Sequence, residues 1–381
     1  MGPARRWRTA LLHGPVEELT TVPIDLIRPL SALIPMRALL LINNSISADL
    51  AELALDSDEI RPEEAALITL RKLHRPWFDR CTPRLDYPAA PRLDLKGQWR
   101  FTAYYWRGAR LLSRVLRHPG LREIYLVNND NLLTNHLLAS ASRLPRVRIT
   151  VLAEGLMNYQ DIQAKNRAAW RNRLKPLLAG CFGLRNQPVT GHLSGAFDPA
   201  VSRVISFEAK GLHAPPEKVT ILPFKAVAPR VSPRGDTLLY IETALWQWMP
   251  AEEWEPIARG FARWIHTQGF ARLRVKAHPN YPPCPLLRSL LPPFELVHEG
   301  KSLEQVASEI EASAVVGTCC TGLVTLRLLR PDLRCVDYGS NRYIHAAYHG
   351  DRSVIRLMES LGVELIDFND GEAAGKEGLA V

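Results

Sequence analysis

Three polar segments stand where an apolar, strand-like run ends, and each carries side chains suited to proton transfer or anion binding. The first is Glu154-Gly155, in which a strand-end carboxylate beside a glycine could act as general base toward a hydroxyl. The same carboxylate could instead cap the helix that follows. The nearby Asn158 and Tyr159 are candidates for binding the molecule that carries this hydroxyl.

The second segment is Lys276-Ala277-His278-Pro279, at the end of another predicted strand. Side chains two positions apart on a strand point to the same side, so Lys276 and His278 can meet one anion. Pro279 restricts the backbone where the strand ends. A purely structural histidine is the alternative interpretation.

The third segment, 317–322, lies between a predicted strand and a predicted helix. Its backbone amides at the helix start, with the hydroxyls of Thr318 and Thr321 and the small Gly317, could cradle a phosphate. An ordinary capped turn would have the same composition. The sequence contains neither the P-loop pattern GxxxxGK[ST] nor the dinucleotide pattern GxGxxG. Because the HExxH motif and paired CxxC motifs are also absent, we expect no zinc site.

The segments are positioned by an alternation of short apolar runs and helix-like stretches that repeats in both halves of the chain. This alternation predicts an α/β fold with two Rossmann-like, doubly wound domains that face a central cleft. The predicted strands are 37–44, 123–129, 147–155, 219–224, 237–242, 271–279, 294–300, 313–318 and 334–339. The predicted helices are 48–55, 99–116, 132–142, 166–176, 251–267, 303–311 and one that ends at Leu329.

The Pro- and Arg-containing stretch 226–235 is the predicted boundary between the domains. We therefore expect an N-terminal extension over 1–36, an acceptor-side domain over 37–228 and a nucleotide-binding domain over 229–370. The extension is either an amphipathic attachment segment or a lead-in to the first strand. The Gly-, Ala- and Glu-rich end, 371–381, is predicted to be a flexible tail.

The composition favours an anionic partner without identifying it. Lys plus Arg number 48 against 39 Asp plus Glu, which gives a formal charge of +9. Arg167 and Arg171 belong to a basic run that could bind an acidic glycan or could simply face solvent. Because the other arginines are dispersed and no nucleic-acid motif accompanies them, a nucleic-acid partner is not expected.

Cysteine usage and hydropathy indicate the compartment. The six cysteines form no CxxC pair, which predicts free thiols in a reducing environment. No secretory signal is evident, and the longest apolar run, 37–42, is far shorter than the roughly 20 residues needed to span a bilayer. We expect a cytoplasmic protein, either free or attached peripherally to the inner face of the membrane.

The order of the acid-glycine, Lys-x-His-Pro and hydroxyl-turn motifs resembles bacterial sialyltransferases of the polysialyltransferase-like branch. The resemblance covers about Leu39 to Gly339, and its specificity comes from the combination of short motifs. It implies a GT-B fold and an inverting transfer of sialic acid from CMP-sialic acid to a glycan or glycolipid acceptor. It also implies no metal or other cofactor, and a place in capsule or lipooligosaccharide biosynthesis.

Carried over by position, the resemblance makes Glu154 the base and His278 the partner of the departing CMP phosphate. Thr318 and Thr321 would hold the phosphate or the sugar carboxylate. Two departures matter: Ala153 stands where the family usually has a further acid, and Cys319-Cys320 stands where serine is common. A GT-B transferase that uses CMP-Kdo or a UDP-sugar, and a non-catalytic glycan- or nucleotide-binding protein, remain alternatives.

Overall fold

The computed structural model describes residues 35–88, 95–128, 130–163, 169–189, 191–247, 249–278, 282–298, 301–347 and 352–368. These residues form two parallel β-sheets with helices packed on them. The predicted extension up to residue 34, the predicted tail 371–381, Arg167 and Pro279 lie outside the described residues.

The first sheet has seven strands in the order β3-β2-β1-β4-β5-β6-β7. The chain crosses from one side of β1 to the other between β3 and β4, so the sheet has its topological switch point between β1 and β4. The strands are β1 Ala38–Ile42, β2 Ala65–Thr69, β3 Arg84–Leu85, β4 Glu123–Leu126, β5 Arg148–Leu152, β6 Arg203–Ser206 and β7 Val219–Ile221.

The second sheet has six strands in the order β10-β9-β8-β11-β12-β13, and its switch point lies between β8 and β11. Both sheets are parallel throughout the described pairings, as the alternation of strands and helices predicts. The strands are β8 Arg234–Ile241, β9 Arg272–Lys276, β10 Phe294–Leu296, β11 Ala312–Gly317, β12 Arg334–Tyr338 and β13 Glu364–Ile366.

Helices connect the strands and cover the sheets. They are α1 Ser45–Ser57, α2 Leu95–Val115, α3 Leu132–Leu138, α4 Ala169–Cys181, α5 Ala251–Thr267, α6 Pro285–Leu290, α7 Leu303–Val306, α8 Thr321–Leu329, α9 Ser340–Ala347 and α10 Ser353–Ser360. None of the helices in the described ranges is both long enough and apolar enough to cross a membrane.

Strand β1 shows how the sequence produces the core. All five of its residues are buried, because both faces of a parallel sheet are covered. Leu40 and Ile42 belong to a core that includes α1 and extends into the second sheet. Leu39 and Leu41 point the other way and pack in a separate core with α2. One apolar run thus serves two packing layers.

The two sheets meet at the end of β5. Gly155 has φ 120°, and a Cβ atom built on it would lie 2.7 Å from Cγ2 of Thr321, the first residue of α8. A side chain at position 155 would therefore need both an unfavourable backbone conformation and space that Thr321 occupies. The glycine permits the close approach.

A buried arginine provides a second link between the sheets. Arg75 donates from Nε and Nη2 to the carboxylate of Asp49 in α1, at 3.1 and 3.2 Å. Its Nη1 donates to Oγ of Ser302, the N-cap of α7, at 3.1 Å. Since α1 packs on the first sheet and α7 on the second, this guanidinium holds the two together.

The predicted fold class, two Rossmann-like sheets, is confirmed. The predicted helix at 251–267 has the bounds of α5, and the predicted strands contain β1, β4, β5 and β7 to β12, apart from end residues. Strands β2, β3, β6 and β13 were not predicted, since runs of two to five residues give little periodic signal. The helix predicted to end at Pro176 continues to Cys181, so the proline lies inside α4 instead of ending it.

We expect Gly155→Ala to lower the free energy of unfolding by about 1–3 kcal/mol, since it adds backbone strain to a steric overlap. Urea unfolding followed by circular dichroism would measure this. Thr321→Ser removes the overlapping methyl group, so the double variant should recover part of the loss.

Gly183→Ala is the matched control for that experiment. Gly183 also has positive φ, 67°, but its added Cβ would meet no atom within 4 Å. It therefore reports the strain of alanine at positive φ without a steric contact. Recovery by Thr321→Ser separates the contact from the larger backbone strain at Gly155, whose ψ is −150°. Equal losses in the two alanine variants, with no recovery by Thr321→Ser, would contradict the proposed contact between the sheets.

Candidate functional site

Glu154 lies at the carboxyl end of β5, and asparagines from neighbouring strands hold its carboxylate. Asn43, which follows β1, donates from Nδ2 to one carboxylate oxygen, and Asn128, which follows β4, donates to the other. The order β1-β4-β5 makes these three strand ends neighbours. Glu154 as a whole is only 5% exposed. Two amide donors therefore fix its orientation.

The turn after β1 is rigid for a local reason. Asn44 is the N-cap of α1, accepts from the amide of Ser47 at 2.9 Å and takes part in a capping box with that serine. The remaining Nδ2 of Asn44 donates to the carbonyl of Glu154 at 2.5 Å. The cap of one helix thus also anchors the backbone at the candidate base.

Burial raises the pKa of Glu154 above its ordinary value, because a charge is poorly solvated there. The hydrogen bonds from Asn43 and Asn128 oppose this shift by stabilising the ionised form, and the charge of Arg71 acts in the same direction. Once ionised, a carboxylate with a raised pKa is a stronger base than an ordinary one.

Lys276 and His278 project into a cavity from the end of β9 in the second sheet. Lys276 is 4% exposed, and its Nζ makes a long contact of 3.4 Å with the carbonyl of His298. Burial lowers the pKa of Lys276. Burial, with the charges of Arg71 and Lys276, also lowers the pKa of His278. His278 is therefore neutral at pH 7 until an anion arrives.

Two hydrogen bonds hold the turn before α8 to residues at the end of β12 and the start of α9. The backbone amide of Cys319 donates to the carboxylate of Asp337 at 2.9 Å and to the Ser340 hydroxyl at 2.7 Å. Cys319 itself has φ 45°. The anchored turn directs the N-terminus of α8 toward the cavity, which Thr321 lines, so the positive end of the helix dipole faces it.

Two adjoining cavities make up the candidate site. The larger, about 380 Å³, contains Lys276 and His278, and the smaller, about 250 Å³, contains Glu154 and Arg71. Both are lined by the same four residues: Asn44, Cys319, Thr321 and Tyr343. The candidate base and the candidate anion-binding groups thus open onto neighbouring spaces between the sheets, as the sequence predicted for Glu154, Lys276, His278 and Thr321.

Other predicted residues are placed elsewhere. Tyr159 is fully buried, and its hydroxyl bonds Ser206 at 2.9 Å and the Glu208 carbonyl at 2.7 Å. Asn158 is also buried and accepts from the Glu154 amide at 2.9 Å. Both therefore hold the loop and the core, which corrects their prediction as acceptor-binding side chains.

Only part of the turn predicted to hold a phosphate lines the cavities. Gly317 is the last residue of β11, and Thr318 is 5% exposed. Neither lines the two cavities described above, whereas Cys319 and Thr321 do. The backbone of Arg171 lies in α4, but its side chain is outside the described part of the structure.

Sequence reasoning missed several residues of the site. Asn43 and Asn128 could have been found, since each opens an Asn-Asn pair that ends a predicted strand. Arg71 gives no such signal, because it lies in an unremarkable basic loop. Glu242, which lines the larger cavity after β8, is 3% exposed and accepts from the Cys284 amide at 2.7 Å.

Among the described residues, no group of three His, Cys, Asp or Glu side chains is placed to hold a metal ion. All six cysteines are free thiols. The absence of a metal requirement stays a prediction from sequence.

Searches of protein-family models and of curated protein sequences found no match. Among solved structures, the chain is similar to the 2,6-sialyltransferase of Photobacterium sp. JT-ISH-224, which was solved with CMP and lactose. The identity is 12% over 87% of this chain and 78% of that chain, with a TM-score of 0.48.

The glycotransferase of kitacinnamycin is also similar, at 10% identity over 88% of this chain and 87% of that one, with a TM-score of 0.48. A putative UDP-N-acetylglucosamine 2-epimerase from Listeria monocytogenes has 9% identity over 89% and 86% of the two chains, with a TM-score of 0.47. Identities this low identify no substrate.

We expect Asn128→Ala to raise the pKa of Glu154 further, because it removes a donor that stabilises the carboxylate. The carboxyl signal of ¹³C-labelled glutamate, followed by NMR as a function of pH, measures this directly. Asn186→Ala removes an asparagine that does not contact Glu154 and should leave the titration unchanged. An unchanged or lowered Glu154 pKa in Asn128→Ala would contradict the assigned hydrogen bond.

Proposed function

We propose that this chain is a glycosyltransferase that moves an acidic sugar, sialic acid or a related nonulosonic acid, from a CMP-activated donor to a glycan or glycolipid. The observation that supports this most is the pair of adjoining cavities. One contains a buried carboxylate, Glu154, and the other contains Lys276 and His278 beside the N-terminus of α8. A base in one cavity and anion-binding groups in the cavity beside it suit transfer between two bound substrates.

In the proposed reaction, Glu154 takes the proton of the acceptor hydroxyl. The hydroxyl oxygen then forms a bond with the anomeric carbon while the bond from that carbon to the CMP phosphate oxygen breaks. The electron pair of the broken bond leaves with CMP. Attack from the face opposite the phosphate inverts the anomeric centre.

Groups of the second domain's sheet and helices stabilise the negative charge that develops on the departing phosphate in this step. CMP leaves with a single phosphate, and Lys276, His278 and the N-terminus of α8 all line the cavity that would receive it. Stabilising charge where it develops is commonly the largest contribution to catalysis. In this proposal these groups take the place that a metal ion takes when the leaving group is a diphosphate.

Arg71 supports an acidic sugar as the transferred group. It lines the Glu154 cavity, and its charge acts on both Glu154 and His278. A guanidinium between the base and the phosphate-binding groups could pair with the carboxylate of a nonulosonic acid. A neutral sugar would give it no such partner.

We expect the protein to bind CMP in preference to UMP and UDP in the presence of EDTA, as measured by calorimetry. Binding should take up protons at pH 7, since the CMP phosphate raises the lowered pKa of His278 toward protonation. Titrations in two buffers that differ in ionisation enthalpy reveal this uptake.

His278→Asn should reduce the proton uptake, whereas His266→Asn, a change at an exposed histidine of α5, should leave it intact. Preference for UDP would favour a transferase with another donor. Absence of nucleotide binding would favour a non-catalytic role. Either result would overturn the proposed donor.

We expect Glu154→Gln and His278→Ala each to slow turnover of CMP-sialic acid by at least about 10²-fold, the low end for acid-base catalysis. Release of CMP, with and without added glycan acceptor, provides the measurement. Glu154→Gln should retain CMP binding, because Glu154 lies outside the larger cavity. Glu217→Gln, a change at an exposed carboxylate, is the control, and full activity in either site variant would remove that residue from the mechanism.

A further inference from the structure

Helices α2 and α4 carry large apolar side chains on the outside of the first sheet. Trp99 is 72% exposed and Leu177 is 67% exposed, the highest values among the large apolar residues described. The other members of this group on the two helices are Trp106, Leu174 and Leu178. Exposing this much apolar surface is unfavourable in water unless something covers it.

The spacing gathers these side chains on one face of each helix. Trp99 and Trp106 are seven residues apart in α2, and Leu174, Leu177 and Leu178 follow i, i+3, i+4 spacing in α4. The helices adjoin at Phe182, directly after α4, whose ring centroid lies 6.0 Å from that of Trp106. We call the five exposed side chains the α2–α4 surface.

The charge of the two helices has one sign. Their sequences contain eight Lys and Arg residues and no Asp or Glu. Arg100, Arg107, Arg110 and Arg114 of α2 are exposed. The acidic Asp130, which faces α4, is paired with Lys175.

We infer that the α2–α4 surface docks on a lipid bilayer that contains anionic lipids. Tryptophan and leucine side chains favour the boundary between headgroups and acyl chains, and surrounding arginines attract phosphate headgroups. An acidic glycan would pair with the arginines but would leave the tryptophans and leucines uncovered. A membrane surface with anionic lipids can contact both the apolar and the basic side chains.

A chain of hydrogen bonds connects α4 to the candidate site. Lys175 of α4 donates to the carbonyl of Asp130 at 3.2 Å, and the Asp130 amide donates to Asn128 Oδ1 at 3.0 Å. Asn128 in turn holds Glu154. If the proposed function holds, membrane docking places the base near acceptors that are anchored in the same membrane, but the docking itself does not depend on that function.

Sedimentation of the 381-residue chain with vesicles tests the inference. Vesicles of equal parts phosphatidylcholine and phosphatidylglycerol should bind the protein, vesicles of phosphatidylcholine alone should bind it at least about tenfold more weakly, and added salt should weaken binding. The double variant Trp99→Gln/Leu177→Gln should bind the mixed vesicles at least about tenfold more weakly. Its circular dichroism should remain that of the parent chain, since both side chains are exposed.

The matched control is Phe197→Gln/Ile221→Gln, which removes two exposed apolar side chains that belong to neither helix, one in the loop before β6 and one in β7. It should bind vesicles like the parent chain. Equal loss in both double variants, or no vesicle binding by the parent chain, would overturn the inference. A parent chain that ignores vesicles but self-associates in analytical ultracentrifugation, and becomes monomeric in Trp99→Gln/Leu177→Gln, would show that the surface is an interface between copies.

Discussion

The contact of Gly155 with Thr321 sets the distance between the two sheets, and the site depends on that distance. Gly155 follows the candidate base, and Thr321 begins the helix whose N-terminus lines both cavities. No larger residue fits between them in this arrangement. The buried Arg75 adds a second link, because it donates hydrogen bonds to Asp49 of α1 and to Ser302 at the start of α7. The cavities therefore form where two independently wound sheets are held at close range.

Burial gives the two sides of the site opposite electrostatic properties. Loss of solvation disfavours charge, so it raises the pKa of Glu154 and lowers the pKa of His278. The site then presents a carboxylate that binds protons more tightly than an ordinary one and, near pH 7, an imidazole that is neutral until an anion binds. The positive charge of Arg71 attracts the ionised carboxylate of Glu154. The same charge disfavours protonation of the His278 imidazole.

Sequence reasoning chose residues that line the cavities where local geometry was sufficient. Lys276 and His278 share a side because the strand period is two, and both line the larger cavity as expected. Glu154 was found because it ends an apolar run. Tyr159 was misplaced, since nothing in its neighbourhood shows that its ring turns into the core toward Ser206. The direction of a loop side chain depends on residues distant in sequence.

The sequence by itself determined the alternation of strands and helices, the two-sheet fold class and the polar strand ends, because these follow from hydrophobic periodicity over short stretches. Only the tertiary structure decided that Asn43, Asn128 and Glu154 meet, since β1, β4 and β5 become neighbours only when the sheet is assembled. It also decided that Thr321 of the second sheet touches Gly155 of the first. These contacts join residues that are between 26 and 166 positions apart in the chain, too far for local propensity to predict them.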